Sequence, residues 1–229
     1  HPSFFSITKY AIEQSDSVTA VSEALKKRTM DVFGISGERI RRLYNFVKKE
    51  KVQPDVAGAC LEKKRCSKNI IIHASNLRDV KRPKDLIYIF KKIHERMAGD
   101  CELWIIGEGP LKSELERSVM DEGLSGCVKF FGVTQNPGQF FTCADIFLMT
   151  SSEESFGLAA LEAMACKTAV VAYSVGGIPE VVEDGVSGRL IDDKNIDGMA
   201  VACTELLQDR RRLTEMKESA YQRAVNKFP

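Results

Sequence analysis

The stretch "NIIIHASNLRDVKRPKDLIYIFKKIHERM" (residues 69–97) joins a short apolar run to a polar loop and then to an amphipathic segment. The first seven residues are rich in β-branched side chains, which predicts a buried strand. The apolar side chains of the last part recur at helical spacing, and they are Leu86, Ile89, Phe90, Ile93 and Met97. This spacing predicts a helix with one apolar face, so the stretch is a strand, a loop and a helix.

The same βα rhythm continues to the end of the chain. Further strands are predicted at "CELWIIGEGP", "CVKFFGV", "DIFLMTS", "TAVVAYSVGG" and "RLID", with helical segments between and after them. Apolar strands that alternate with amphipathic helices indicate a parallel sheet covered on both faces. We therefore expect an α/β, Rossmann-like domain, which binds ligands at the carboxyl ends of its strands.

The first part of the chain has its own pattern. Residues 1–46 read as helix, strand, helix and strand, which is one more βαβ unit. A polar stretch follows, so we divide the chain into residues 1–46, a linker over 47–66, and the Rossmann-like domain over 67–229. We expect the first segment to be the end of an upstream domain.

Composition narrows the function classes. The 229 residues are 44% hydrophobic and 28% charged, and 33 basic against 32 acidic residues leave a net charge of +1. This balance gives no electrostatic reason to expect a nucleic acid or an anionic membrane as partner. No apolar run reaches the roughly 18 residues of a membrane span, and seven scattered cysteines without a CxxC pair suit reduced thiols. We expect a cytoplasmic protein without a metal cluster.

The segment "EESFGLAALEAMA" (residues 153–165) places Glu154 before a predicted helix, Gly157 in its first turn and Glu162 two turns in. The first N–H groups of a helix lack internal partners and can bind a phosphate. Glu162 can accept hydrogen bonds from vicinal hydroxyls such as those of a ribose. The three features together predict a clamp for a nucleotide sugar. The alternative is that both acids are solvated side chains near a helix N-terminus.

Basic residues follow the first strand of the domain. Arg78, Lys81 and Arg82 reach its carboxyl end, where they can neutralise a pyrophosphate leaving group, or they can simply be exposed to solvent. His73 lies within an apolar strand and is read as a hydrogen-bonded core residue, and His94 is read as a surface residue.

Glycine-containing turns supply further candidates. Gly107 in "IIGEGP" either lets a ligand approach or makes a plain turn. The backbone of "FFGVTQN", which includes Val133, can pair with a flat base. "SVGGIP" is a glycine turn without evident side-chain chemistry.

The motifs "EESFGLAALEAMA", "VGGIPEVVEDGVSGRLI", "IIGEGPLKSELE", "VKFFG" and "ADIFLMTS" resemble, in order and spacing, the C-terminal donor-binding domain of retaining GT-B glycosyltransferases of family 4. The resemblance implies that Glu154 faces the donor sugar and that Glu162 binds the ribose. It implies that the backbone of Phe156, Gly157 and Leu158 holds the distal phosphate.

Two positions depart from the family pattern. The resemblance implies that Lys81 contacts the diphosphate, whereas Asn76 stands where arginine is common in this family. Lys167 stands where the family has glycine, and a left-handed backbone there would cost about 1 kcal/mol.

Asn76 and the segments "HPSFF", "YNFV" and "VKRPKDLI" most resemble the corresponding positions in the bacillithiol-pathway branch of the family. This similarity implies a UDP-N-acetylglucosamine donor, a small acceptor such as L-malate, and no metal or other cofactor. It also implies that most of the acceptor domain lies outside this chain and that the chain alone is inactive in transfer. A nucleotide-sugar-binding module without transfer activity, a phosphorylase and a transferase for another acceptor stay open.

Overall fold

The computed structural model describes residues 4–47 and 68–229, which form two parallel sheets. The smaller sheet pairs β1 (Val18–Ala20) with β2 (Ile40–Arg42). It is flanked by α1 (Phe5–Gln14) and α2 (Glu23–Phe33), which connects the two strands. The βαβ unit predicted within residues 1–46 is therefore confirmed as local structure.

The larger sheet has six parallel strands in the order β5-β4-β3-β6-β7-β8. Their bounds are β3 Asn69–Ala74, β4 Cys101–Ile106, β5 Val128–Gly132, β6 Ile146–Met149, β7 Ala169–Tyr173 and β8 Gly188–Ile191. Each strand lies where the apolar runs predict it. The predicted α/β fold with a parallel sheet is confirmed.

Helices cover both faces of this sheet. Their bounds are α3 Pro83–Arg96, α4 Lys112–Asp121, α5 Gly138–Phe141, α6 Leu158–Ala165, α7 Ile178–Val181, α8 Ile196–Gln208 and α9 Arg210–Lys227. Successive strand residues point to opposite faces, so Ile71 packs in one core with α3 and α8, and Ile70 and Ile72 pack in the other with α6. The two cores account for the continuous apolar character of the strands.

The strand order places a crevice at one position on the sheet edge. β3 lies between β4 and β6, with Ile71 paired to Ile146 and Asn69 to Cys101. The connections from β3 and β6 therefore leave in opposite directions. In open α/β sheets this switch point, at the carboxyl ends of the strands, is where ligands bind.

Two expectations about the chain have different outcomes. The backbone of Lys167 is left-handed, with φ of +57°, as expected at a position where the family has glycine. The linker predicted over residues 47–66 falls, apart from Val47, outside the described residues.

Candidate active site

Two loops meet at the switch point of the sheet. The loop after β3 runs through a short 3₁₀ turn, Asp79–Lys81, and the loop after β6 carries Glu154. The Thr150 hydroxyl donates to the Lys81 carbonyl at 2.8 Å, and the Ser152 N–H donates to the Val80 carbonyl at 2.9 Å. These bonds fix the two loops against each other.

Lys81 and Glu154 form an ion pair at this junction. Their side chains are only 21% and 13% exposed, and the Ser151 hydroxyl also donates to Glu154 Oε1 at 2.9 Å. Charged pairs are screened less here than on an open surface. The sequence placed Lys81 at the correct strand end, but it gave no sign that Lys81 and Glu154 touch, or that Ser151 joins them.

The glycine turn after β7 holds the Glu154 backbone. The Gly177 N–H donates to the Glu154 carbonyl at 2.9 Å. A Cβ on Gly176, whose φ is +52°, would lie 1.9 Å from the Glu154 oxygen, and one on Gly177 would lie 2.5 Å from the Ser155 oxygen. Only glycine permits this approach. The sequence predicted only a turn here and not this role, although two consecutive glycines are a signal of close backbone contact.

The start of α6 turns its backbone toward the same edge. Gly157 is the N-cap of α6 with φ of +97°, and the Phe156 side chain is 2% exposed, packed against Tyr44 and Phe228. Phe156 can therefore offer a ligand only its main chain. Leu158, the first helical residue, is 44% exposed.

Glu162 is the fifth residue of the eight-residue helix α6, so it lies about one and a half turns in and not two. Its side chain is half-buried. Burial of the Cys166 thiol, one turn further on, raises the pKa of that thiol to about 12, and the charge of Glu162 adds to the effect. Cys166 is therefore an inert neighbour of this carboxylate.

The remaining predicted residues lie at the carboxyl ends of β3, β4 and β5. Gly107 has φ of +118°, and a Cβ there would lie 1.9 Å from the Ser75 oxygen, so tight packing of two loops requires this glycine. Asn76 is exposed, and Val133 is 77% exposed. The structure thus brings these three positions to the same edge as Lys81 and Glu154.

The other two basic residues after β3 differ from Lys81. Arg82 pairs with Asp85 at 3.1 Å and with Asp193 at 2.7 Å, and its guanidinium lies over the Tyr173 ring. Arg78 is exposed. Lys81 is therefore the one of the three that is held beside Glu154.

Both histidines of the larger sheet unit, residues 68–229, have defined partners. His73 is buried, with Nδ1 at 2.9 Å from the Leu148 carbonyl and Nε2 at 2.8 Å from the Ser75 hydroxyl. Because a carbonyl only accepts, Nδ1 carries the proton and Ser75 donates to Nε2. Burial lowers the pKa of His73 to about 4, so the prediction of a hydrogen-bonded core residue is confirmed. His94, which was predicted at the surface, is half-buried beside Phe90 and Cys101.

A cavity of about 350 Å³ opens next to the ion pair. The second helix lines one side through Ala24, Leu25 and Arg28, and the two loops line the other through Lys81, Glu154 and their neighbours. Within residues 4–47 and 68–229, no cluster of three or more His, Cys, Asp or Glu side chains is placed to hold a metal ion. No described helix is long and apolar enough to cross a membrane.

Residues 62–223 match the model of the family described as Glycosyl transferases group 1. The chain belongs to this family. Its relatives in the group include the N-acetyl-alpha-D-glucosaminyl L-malate synthase of Bacillus anthracis, which is 34% identical over 99% of this chain and 59% of the relative. A GDP-mannose-dependent phosphatidylinositol monomannoside mannosyltransferase of Mycolicibacterium smegmatis is 30% identical over 88% of this chain and 56% of the relative. The chain thus spans little more than half the length of these relatives.

Solved glycosyltransferase structures share the fold. HepE of Anabaena, solved with UDP and glucose, superposes with a TM-score of 0.90 over all of this chain and 64% of its own, at 23% identity. A TarM variant of S. aureus, solved with Fondaparinux, alpha-GlcNAc-glycerol and UDP, superposes with a TM-score of 0.84 over 97% of this chain and 43% of its own, at 25% identity. The neighbours are GT-B glycosyltransferases, so the predicted GT-B fold class is confirmed.

Proposed function

We propose that this member of the group 1 family is a retaining, family-4 glycosyltransferase that transfers N-acetylglucosamine from its UDP conjugate to a small hydroxy acid such as L-malate. The observation that carries the proposal is the Lys81–Glu154 pair, held at the switch point beside the N-terminus of α6. The sugar and the acceptor are taken from the name of the Bacillus anthracis relative, whose similarity extends over 99% of this chain. The uridine diphosphate is taken from HepE and TarM, which were solved with UDP.

Each part of the donor has a counterpart on the sheet edge. Lys81 and the N–H groups of Phe156, Gly157 and Leu158 bind the diphosphate, because a lysine and a helix N-terminus both favour negative charge. Glu162 accepts hydrogen bonds from the ribose hydroxyls, and Glu154 faces the sugar. The base lies by the exposed backbone around Val133, with Gly107 and Asn76 nearby.

The proposed reaction is a front-face substitution. The acceptor oxygen forms a bond to the anomeric carbon on the face from which the diphosphate departs, and the bond from that carbon to the β-phosphate oxygen breaks. UDP leaves with the electron pair, and its phosphate takes the proton of the acceptor hydroxyl. Lys81 and the α6 N–H groups stabilise the charge that develops on the leaving group. No metal or other cofactor takes part in this scheme.

Donor selectivity is the first test. Calorimetric titration of the chain with UDP, UDP-N-acetylglucosamine, GDP, GDP-mannose and ADP should show binding of the uridine ligands alone. The guanosine ligands are included because the Mycolicibacterium relative is named for GDP-mannose. Selective binding of GDP or GDP-mannose would contradict the proposed donor.

Transfer and stereochemistry are the second test. The protein expressed from its complete gene is incubated with UDP-N-acetylglucosamine and L-malate, and NMR reads the anomeric configuration of the product. An α-linked product is expected. A β-linked product would contradict retention, and donor binding without turnover on malate or other hydroxy acids would favour the binding module.

A further inference from the structure

The donor-site loop, residues 151–157, is attached on one side to helix α2. The Ser22 hydroxyl donates to the Ser155 carbonyl at 2.5 Å and accepts from the Leu25 N–H at 3.0 Å, and Ser22 is fully buried. Arg28, six residues after Ser22 on α2, pairs with Glu153 at 2.7 Å. The smaller sheet unit, residues 4–47, thus contacts the residues on both sides of Glu154.

The N-terminus of α2 is completed by a carboxylate from the larger sheet unit. The two oxygens of Glu180 accept from the Glu23 and Ala24 N–H groups, each at 2.9 Å. With Ser22 serving Leu25, the first three N–H groups of the helix are all satisfied. A negative charge here is also favoured by the helix dipole.

Tyr44 supplies the third donor to Glu180. Its hydroxyl lies 3.0 Å from Glu180 Oε2, and its ring packs on Phe156 and Phe228 with centroids 5.8 and 5.3 Å away. Burial raises the pKa of Tyr44, and the hydrogen bond to Glu180 adds to this rise, so the hydroxyl stays a donor. Glu180 therefore receives three hydrogen bonds from the smaller sheet unit.

The same short segment that carries Glu180 also holds the Glu154 backbone. Glu180 is the third residue of α7, and the N-cap of this helix is Gly177, whose N–H donates to the Glu154 carbonyl. Movement of Glu180 away from α2 would shift Gly177, and with it the carbonyl of Glu154. Separation of α2 would also remove the Ser22 bond to Ser155. Both displacements act on the residues that flank the proposed sugar and phosphate contacts.

We propose that Glu180 is a positioning residue for donor binding. It docks α2 onto the donor-site loop and so fixes Glu154 and the Phe156 and Gly157 N–H groups in one geometry, without touching the donor itself. This inference rests on the proposed function, since it concerns the same site. No role was expected of Glu180 from the sequence.

The decisive variant is Glu180→Gln, compared with Glu183→Gln. Glutamine keeps the shape of the side chain but places an NH₂ donor against one of the two α2 N–H groups. Glu183 lies on the following turn and pairs with Arg223 of α9, so the control makes the same charge change away from α2. Tyr44→Phe, which removes one of three donors, should show a smaller effect of the same kind.

We expect Glu180→Gln to raise the Kd for UDP-N-acetylglucosamine about 10-fold, because the apparent affinity falls in proportion to the fraction of protein that keeps the binding geometry. The Kd for UDP should rise by less, because UDP lacks the sugar that Glu154 faces. Glu183→Gln should leave both unchanged. Unchanged affinities in Glu180→Gln would overturn the inference. Equal losses for both ligands, together with a lower unfolding midpoint, would show a structural role and also overturn it.

A second readout does not depend on the donor. Amide hydrogen exchange over residues 152–157 should be faster in Glu180→Gln than in wild type and Glu183→Gln. If wild type binds no uridine ligand, the proposed function fails while this exchange result still tests the docking. Unchanged exchange in Glu180→Gln would reject the positioning role by itself.

Discussion

The Lys81 ammonium and the Glu154 carboxylate form an ion pair although 73 residues separate them in the sequence. The pair exists because β3 and β6 are neighbours in the sheet and each is followed by a loop at the same edge. Lys81 therefore stands where a diphosphate would meet a fixed positive charge, next to a carboxylate that can receive sugar hydroxyls.

The first prediction concerns the charge of Lys81. Lys81→Ala should weaken UDP binding roughly 10- to 100-fold, because a charge-assisted hydrogen bond to phosphate is lost. Uridine, which lacks phosphate, should bind wild type and variant equally. Lys84→Ala is the control, since Lys84 pairs with Glu114 on the surface. An equal loss for UDP and uridine, measured by calorimetry, would remove Lys81 from diphosphate binding.

The second prediction concerns the ribose. Glu162→Ala should lower UDP affinity about 10-fold, since hydrogen bonds to a charged acceptor are lost. The variant should leave the affinity for 2′,3′-dideoxy-UDP unchanged, because that ligand has no vicinal hydroxyls. A loss of the same size for both nucleotides would assign Glu162 a structural role in α6.

The third prediction concerns the glycine turn at Glu154. Gly176→Ala should destabilise the protein by more than the roughly 1–2 kcal/mol cost of a left-handed alanine, because its Cβ would also meet the Glu154 carbonyl at 1.9 Å. Gly185→Ala is the matched control, with φ of +75° and nothing within 4 Å of the added Cβ. Urea unfolding gives both values. Equal destabilisation would show that the close approach to Glu154 is relaxed easily.

The fourth prediction concerns pH. The folded protein keeps His73 neutral down to about pH 4, whereas an unfolded histidine takes up its proton near 6.5. Between these values the unfolded state binds more protons, so the free energy of unfolding falls with decreasing pH, by up to about 1.4 kcal/mol per pH unit from this group. The contribution of His73 is fully present above its unfolded pKa.

His73→Asn keeps an N–H donor for Leu148 and removes the titration. The unfolding free energy of this variant should therefore depend less steeply on pH between 6.5 and 4 than that of wild type. Identical slopes would show that His73 is not held neutral by burial.

The fifth prediction concerns Lys167. Its φ of +57° is left-handed, and its ammonium pairs with Glu218 on the surface at 2.7 Å. Lys167→Ala removes the ion pair and keeps the backbone strain, whereas Lys167→Gly removes both. The glycine variant should be more stable than the alanine variant by about 1 kcal/mol. Equal stability in thermal unfolding would show that this turn carries no strain.

The sequence predicted local structure well because the buried strands and amphipathic helices have clear periods. Residues 69–97 form β3 and α3 as their pattern requires, and Leu86, Ile89 and Phe90 are fully buried. The pattern also placed Lys81 and Glu154 at strand ends. The position of Glu162 was off by half a turn because the helix begins after Gly157.

Contacts between distant segments could not be read in this way. Backbone groups more than 20 residues away in sequence form the hydrogen bonds of Ser22, Gly177 and Glu180 described above. No spacing rule relates positions that lie so far apart. Two consecutive glycines after β7 were the available signal, and they indicate close approach without naming the partner.

The strand order also determines at which step of folding the candidate site forms. Strands β3 to β5 are consecutive along the chain and make one half of the sheet, and β6 to β8 make the other. Each half can assemble from short-range βα units, but joining them requires β3 to find β6, with Ile71 pairing to Ile146. Closing the long loop between β3 and β6 costs more conformational entropy than closing a βα unit, and it is slower. Lys81 follows β3 in one half and Glu154 follows β6 in the other. A nucleotide that contacts both residues would therefore stabilise the pairing of the two halves.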